Sequence, residues 1–380
     1  MTSVDACPGI LDLHEARDGH VARVRLPGGY VTASGLHALA ELARRYGDGR
    51  VDLTSRGNVQ LRGVRADDAG ALSRQAAADG LLPSPAHDRA RNIVAGPLAG
   101  LCGRPDVRPL VEALDRGLLA DPALAALPGR FLFSVDDGGG RAGLGTCDVG
   151  LRRHGDGVDL VLAGRTTGIH AVAGEAAGAV ALALAAARAF LDRRQACPDA
   201  ARVAGLPDGG AAVAAAVGGR MGAPVADTVA RLPLGPVPGA AGVVVVAAPL
   251  SRLAAAHLDL IAALLRRGAV VRLAAAGRVV VPLAGPAEPA VARLADAGLL
   301  AADDHPLAGV TACSGTACER SLADVRALAT RLGGDPVHWA GCARRCGLPP
   351  DAVPVVATTV DRFLVGDDPA PRRLGAAAVP

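Results

Sequence analysis

Four cysteines near the end of the chain carry the clearest chemical signal. Cys313 and Cys318 stand as C-x4-C in TACSGTACER, and Cys342 and Cys346 as C-x3-C in GCARRCGLP. Short loops on either side of a helix can aim two thiolates each at one inorganic centre. The small neighbours Ala312, Gly315, Ala317, Gly341 and Ala343 let backbone N–H groups approach sulfur, which tunes such a centre. A [4Fe–4S] cluster and a structural zinc ion both accept these spacings. The remaining cysteines, Cys7, Cys102, Cys147 and Cys197, are scattered and read as small buried hydrophobes.

A second constellation lies in Val51–Arg62, VDLTSRGNVQLR. The even positions Asp52, Thr54, Arg56, Asn58, Gln60 and Arg62 are polar, and the odd ones are apolar or small. Read as one strand, the polar side chains would repeat about every 6.6 Å along one face. Arg56, Asn58, Gln60 and Arg62 would then form a row of donors for a large polyanion. An ordinary solvent-facing strand has the same pattern.

The segment has an echo roughly 220 residues further on. Val51, Leu53, Gly57 and Val59 match Val271, Leu273, Gly277 and Val279 in VRLAAAGRVVVP. Each copy follows an amphipathic helix ending in paired arginines (Ser34–Arg45 and Ala255–Arg267), itself preceded by an apolar strand (Val21–Leu26 and Val243–Ala248). Two distant strand–helix–strand copies predict paired halves, not a solenoid. In the second copy Ala276, Val280 and Pro282 replace Arg56, Gln60 and Arg62, so the polar face is expected to serve in one half only. Between the copies the sequence predicts a hairpin built from Phe131–Val135 and Ala142–Val149, an Ala-rich helix over about Glu175–Arg194, and a Gly/Ala/Pro-rich linker at Gly205–Gly242. A helix over Arg320–Leu332 is expected to separate the cysteine pairs. The fold class is α/β (α+β).

Composition narrows the partners. Aromatics are 2% and the net charge is +3, which argues against stacking platforms for nucleic acid. Neither apolar stretch, Ile169–Leu191 nor Gly242–Leu265, gives the roughly 20 uncharged residues of a membrane span. The N-terminus lacks a basic start followed by an apolar run, so no secretory signal is expected. The expected location is the cytoplasm, where clustered cysteines favour metal over disulfide. All 40 basic residues are arginine, so any anion must be held by guanidinium.

Four stretches, LTSRGNVQLRGV, ARNIVAGPLAG (Ala90–Gly100), LPGRFLFSVDDGGG (Leu127–Gly140) and the four-cysteine tail, occur in the order found in siroheme sulfite/nitrite reductases. The chain resembles that superfamily. The resemblance implies a sulfite/nitrite reductase-like fold with duplicated ferredoxin-like halves: 1–80 the first half, 81–204 a central reductase-like domain, 205–290 a linker and the second half, and 291–380 the iron–sulfur region. It implies that Cys313, Cys318, Cys342 and Cys346 ligate a [4Fe–4S] cluster. It also places Arg56, Arg91 and Arg130 around an anionic substrate, with Asn58, Gln60 and Arg62 beside them; no catalytic residue is assigned.

Where sulfite reductases carry a second lysine in the third stretch, this chain has Leu132. That loss, the short tail after Cys346, and the segments DACPG and CDVGLRR resemble the precorrin-3B synthase branch. The implied activity is oxidation of precorrin-3A with dioxygen: ring hydroxylation with lactone formation in aerobic cobalamin biosynthesis. Electrons would come from a reduced nicotinamide or an electron-donor protein through the cluster. A mononuclear non-haem iron is associated with that branch, and none of the nine histidines is assigned to it. The alternatives are a siroheme-dependent sulfite or nitrite reductase and a non-catalytic metal-binding protein.

Overall fold

A computed structural model describes residues 7–172, 176–228 and 231–374. The chain forms two compact units. One comprises Met1–Asp12, Arg25–Tyr30 and Gly80–Val229; the other comprises Leu13–Val24, Val31–Asp79 and Ala230–Pro380.

The second unit contains both copies of the repeat. In the first copy, strand Gly19–Val24 leads to helix Ala33–Tyr46 and then to strands Arg50–Leu53 and Val59–Val64. Thr32 starts the helix by accepting a hydrogen bond from Gly35 N–H at 3.1 Å, satisfying one of the free donors of the first turn. Leu36, Leu39, Ala40 and Ala43 fill its buried stripe, the spacing of an amphipathic helix. The second copy repeats the plan as Val243–Ala247, helix Ala255–Leu264, Val271–Leu273 and Arg278–Pro282. The two helices pack together, and Asp259 accepts from His37 Nδ1 at 2.8 Å and from Arg44. Strand Arg252–Ala254 of the second copy pairs antiparallel with Arg50–Leu53 of the first.

The segment Val51–Arg62 is not one strand. It is a hairpin whose turn spans Thr54–Asn58. Thr54 N–H donates to Asn58 C=O at 2.9 Å, and Thr54 Oγ1 accepts from the N–H groups of Arg56 and Asn58. Gly57 takes φ 68°, which a glycine adopts without the Cβ penalty. The expected row of donors at 6.6 Å intervals is therefore absent: Arg56 and Asn58 lie in the turn, while Gln60 and Arg62 lie on the returning strand. The second copy makes the same turn, with Ala274 N–H on Arg278 C=O at 2.8 Å and Gly277 at φ 70°. Leu53 pairs with Val59, and Leu273 with Val279. The repeat is thus a repeat of hydrogen bonds as well as of letters.

A four-stranded sheet closes this unit. Val310–Ala312, Val337–Ala340 and Val353–Ala357 run parallel, and Phe363–Val365 lies antiparallel at the edge. Trp339 is fully buried there, its ring 6.0 Å from that of Phe363.

The first unit is built on the sheet Arg165–Ala171, Gly157–Leu162, Val149–His154, Phe133–Asp136, Ile93–Ala95. Helices Arg108–Leu119 and Ala176–Arg194 bury Leu114, Leu118 and Phe190 with Phe131 and Phe133. Glu175, expected to begin the second helix, lies outside the described residues. Phe133–Asp136 and Val149–His154 pair parallel, so the expected hairpin between them does not form. The buried Asp136 carboxylate explains this: it accepts from the N–H groups of Gly138, Gly140, Arg141 and Ala142, folding DDGGG into a closed loop. The following connection is then long enough for the parallel return. Residues 205–228 belong to this unit, with Leu206, Val213 and Ala214 in its core. No helix among the described residues is long and apolar enough to cross a membrane.

Candidate metal centre

Strand order explains how the two cysteine pairs meet. Cys313 directly follows Val310–Ala312, and Cys342 follows Val337–Ala340 by one residue, Gly341. These strands are parallel neighbours with Ala312 opposite Trp339, so both pairs leave the same edge of one sheet. Cys313 N–H donates to Trp339 C=O at 3.0 Å. Its Sγ accepts from Gly341 N–H at 3.2 Å and Gly315 N–H at 3.4 Å. A side chain at Gly341 would strike Ser321 Oγ, so the close approach of backbone to sulfur depends on that glycine.

The helix between the pairs begins later than expected, at Val325, and ends at Leu332. Asp324 caps it by accepting from Ala327 N–H. The preceding residues are held elsewhere, because Leu322 N–H donates to Gly341 C=O at 2.8 Å. That bond ties the Cys318 loop to the Cys342 loop.

Burial, and then the neighbouring Cys342, Cys313 and Cys318, push the Cys346 thiol up. Among the described residues, no three of these sulfurs lie within 4.8 Å of one another.

Arginine surrounds the Cys313 loop. Arg62 is buried; its Nε and Nη2 donate to the two oxygens of Asp18 at 2.9 Å each. Nη1 reaches Ser314 Oγ at 3.2 Å, and Nη2 also reaches Ala317 C=O at 3.0 Å. Arg17 adds its own N–H to Ala317 C=O and Nη2 to Glu319 C=O. Arg326 donates to the carbonyls of Cys313 and Leu250. Burial, and then the positive charge of Arg252, hold Arg326 below the ordinary arginine range. Arg252 itself makes a two-pronged pair with Asp52, at 2.5 and 3.1 Å.

The expected anion-binding residues divide between the units. Arg56, Asn58, Gln60 and Arg62 belong to the second unit, Arg91 and Arg130 to the first. Arg56 is partly buried in its turn, Asn58 is buried, and Gln60 faces Asp52 across the hairpin. Arg130 is exposed. Arg91 is buried and bidentate to Asp115, both bonds 2.8 Å. Arg62, expected in the row of ligand donors, instead turns its guanidinium to the cysteine loop. Sequence reasoning missed Asp18, Arg252 and Arg326, because nothing local marks residues whose partners lie 44, 200 and 76 positions away.

Of the scattered cysteines, Cys147 is buried, and burial followed by the adjacent Asp148 pushes its thiol up to about 12. It is packing, as expected. Cys7, Cys102 and Cys197 are partly exposed.

Residues 14–79 match the nitrite/sulfite reductase ferredoxin-like half domain. Precorrin-3B synthase of Sinorhizobium sp is 34% identical over 159 residues, 39% of this chain and 31% of that protein. Ferredoxin–nitrite reductases of Leptolyngbya laminosa and Synechococcus elongatus are 33% and 35% identical over 121 and 126 residues. Those matches cover 30% and 31% of this chain and 24% and 25% of the two reductases. The chain thus spans a quarter to a third of the length of these curated relatives. The solved structure of Mycobacterium tuberculosis NirA protein superposes with TM-score 0.70 at 20% identity, covering 94% of this chain and 77% of that one. The chain thus contains a match to the nitrite/sulfite reductase ferredoxin-like half domain and has a sulfite/nitrite reductase-like fold.

Proposed function

We propose that the chain is an oxidoreductase of the cobalamin pathway that converts precorrin-3A to precorrin-3B with dioxygen. The observation that carries this reading is the convergence of four cysteines at one edge of a parallel sheet, under a set of arginines. The likeness to a precorrin-3B synthase supports it. The residues present fit a [4Fe–4S] cluster: four thiols, with N–H donors on Cys313 Sγ. When bound, such a cluster supplies one-electron transfer.

The reaction balances with reagents of named class. One atom of dioxygen enters the substrate and the other leaves as water, consuming two electrons and two protons from a reduced nicotinamide or an electron-donor protein. Lactone closure by a substrate carboxylate adds no further electron demand. The chain's own part is to hold the tetrapyrrole and shield the centre. Arg56, presented by the Thr54-pinned turn of the second unit, is the proposed partner of a substrate carboxylate, with Asn58 and Gln60 in the same hairpin. Arg62 and Arg91 are positioning residues, the first for the cysteine loop and the second for the helix carrying Asp115.

A siroheme-dependent nitrite or sulfite reductase is the second reading, favoured by the two nitrite reductases of similar identity. Anaerobically purified protein, given precorrin-3A, a reductant and isotopically heavy dioxygen, should place one heavy oxygen atom in the product. Nitrite or sulfite consumption by protein carrying siroheme absorption, with precorrin-3A unchanged, overturns the proposal.

A further inference from the structure

The first unit holds a second cluster of metal-type ligands that the cysteine chemistry does not use. Among the described residues, His154, Asp159 and His170 each offer a donor atom, and the three atoms lie within 4.8 Å of one another. Three antiparallel strands, Val149–His154, Gly157–Leu162 and Arg165–Ala171, bring them together. Asp159 stands opposite Arg152 on one side and His170 on the other. His154 is two residues beyond Arg152, so alternation puts it on the same face.

The side chains converge on the carboxylate. His170 Nδ1 is 2.8 Å from Asp159 Oδ1, and His154 Nδ1 is 3.2 Å from Oδ2. The two imidazole planes stand at 88° with centroids 6.3 Å apart, so the rings flank the carboxylate without stacking. Arg152 Nη2 also donates to Oδ2, at 2.8 Å, which fixes the carboxylate as an outer partner fixes a metal ligand. Asp156 lies 3.8 Å from His170 Nε2. With neutral imidazoles, two carboxylates against one guanidinium leave the patch negative.

Gly157 shows that the seat is shaped. A Cβ there would lie 2.4 Å from His170 Nε2. The backbone carbonyl of Ala171 would lie at 2.3 Å from the same Cβ, so both the strand and the imidazole close over position 157 only because it is glycine.

We propose that His154, Asp159 and His170 bind one divalent transition-metal ion. Two imidazoles and one carboxylate on one side of an ion leave its other positions open. That donor set suits both ferrous iron and zinc, and it stands independently of the reaction proposed above.

The test uses the protein as isolated, titrated separately with Zn2+ and, under anaerobic conditions, with Fe2+ in a calorimeter. One saturable equivalent beyond the metal already bound is expected. His154→Ala and His170→Ala should each weaken it by about tenfold or more. His37→Ala, which removes a surface histidine paired with Asp259, should leave it unchanged. Both replaced histidines are exposed, so the variants keep the fold. X-ray absorption at the edge of the added metal should find nitrogen and oxygen neighbours. A sulfur shell, no uptake by the unaltered protein, or uptake equal in both histidine variants overturns the proposal.

Discussion

Replacing Arg62 by methionine separates the two roles open to this arginine. The change removes two N–H bonds to Asp18, one to Ser314 and one to the Ala317 carbonyl. Breaking a fully buried ion pair costs about 3–5 kcal/mol because a charge is stranded. Here the Asp18 side chain is 32% exposed and can rehydrate, so that contribution falls to about 1–2 kcal/mol. The charge-assisted bonds to Ser314 and to the Ala317 carbonyl, whose acceptors are part-exposed and can rehydrate, add about 0.5 kcal/mol each. Arg62→Met should therefore destabilise by about 2–3 kcal/mol. Measured by urea unfolding in a double-mutant cycle with Asp18→Asn, the pair should couple by about 1 kcal/mol or more. The variant should also lose iron faster, since the loop carrying Cys313 and Cys318 is what Arg62 holds. A stability within about 0.5 kcal/mol of the parent, with only ligand binding changed, would refute the reasoning and return Arg62 to the row of ligand donors.

Other consequences can be measured as directly. Gly57→Ala should cost about 1–2 kcal/mol by thermal unfolding, because the turn needs positive φ; in a straight strand the same change would stabilise. Trp339→Ala empties the centre of the cysteine sheet and should cost about 3–5 kcal/mol, and a shift well below that would mean the sheet core is packed otherwise. Asp208 accepts from Ala212 and Gly210 N–H, which holds its carboxyl below the usual range. Since its folded pKa lies below its unfolded value, this support is full above about pH 4 and fades as pH falls through the folded pKa. In Asp208→Asn that part of the acid dependence should vanish. Cys342→Ser should lower bound iron without unfolding the Val310–Ala357 sheet, as judged by circular dichroism.

Local and periodic signals were legible in the sequence. The repeat was visible because Val, Leu and Gly recur at one offset, and both copies fold as the same strand–helix–hairpin. The cysteine pairs were visible by spacing, and adjacent parallel strands bring them together. Signals that depend on a single side chain against the backbone were not. Alternation made Val51–Arg62 look like one strand, whereas Thr54 Oγ1 and Gly57 turn the chain back in its middle. Alternation likewise suggested a hairpin after Phe131, but the four N–H groups gathered by Asp136 enforce a loop and a parallel return. The Cys318 helix starts late because Leu322 is bonded to Gly341. A long-range pair such as Arg62 with Ser314, and a set such as His154, Asp159 and His170 meeting across three consecutive strands, leave no mark in a linear reading. They depend on register, and register is settled only when the sheet forms.

The most direct test of the central claim is iron and acid-labile sulfide in the anaerobically purified protein, taken with its absorption spectrum. Four iron and four sulfide per chain on the cysteine set, with a broad charge-transfer band that bleaches on reduction, is the expected result. One zinc without sulfide would contradict it.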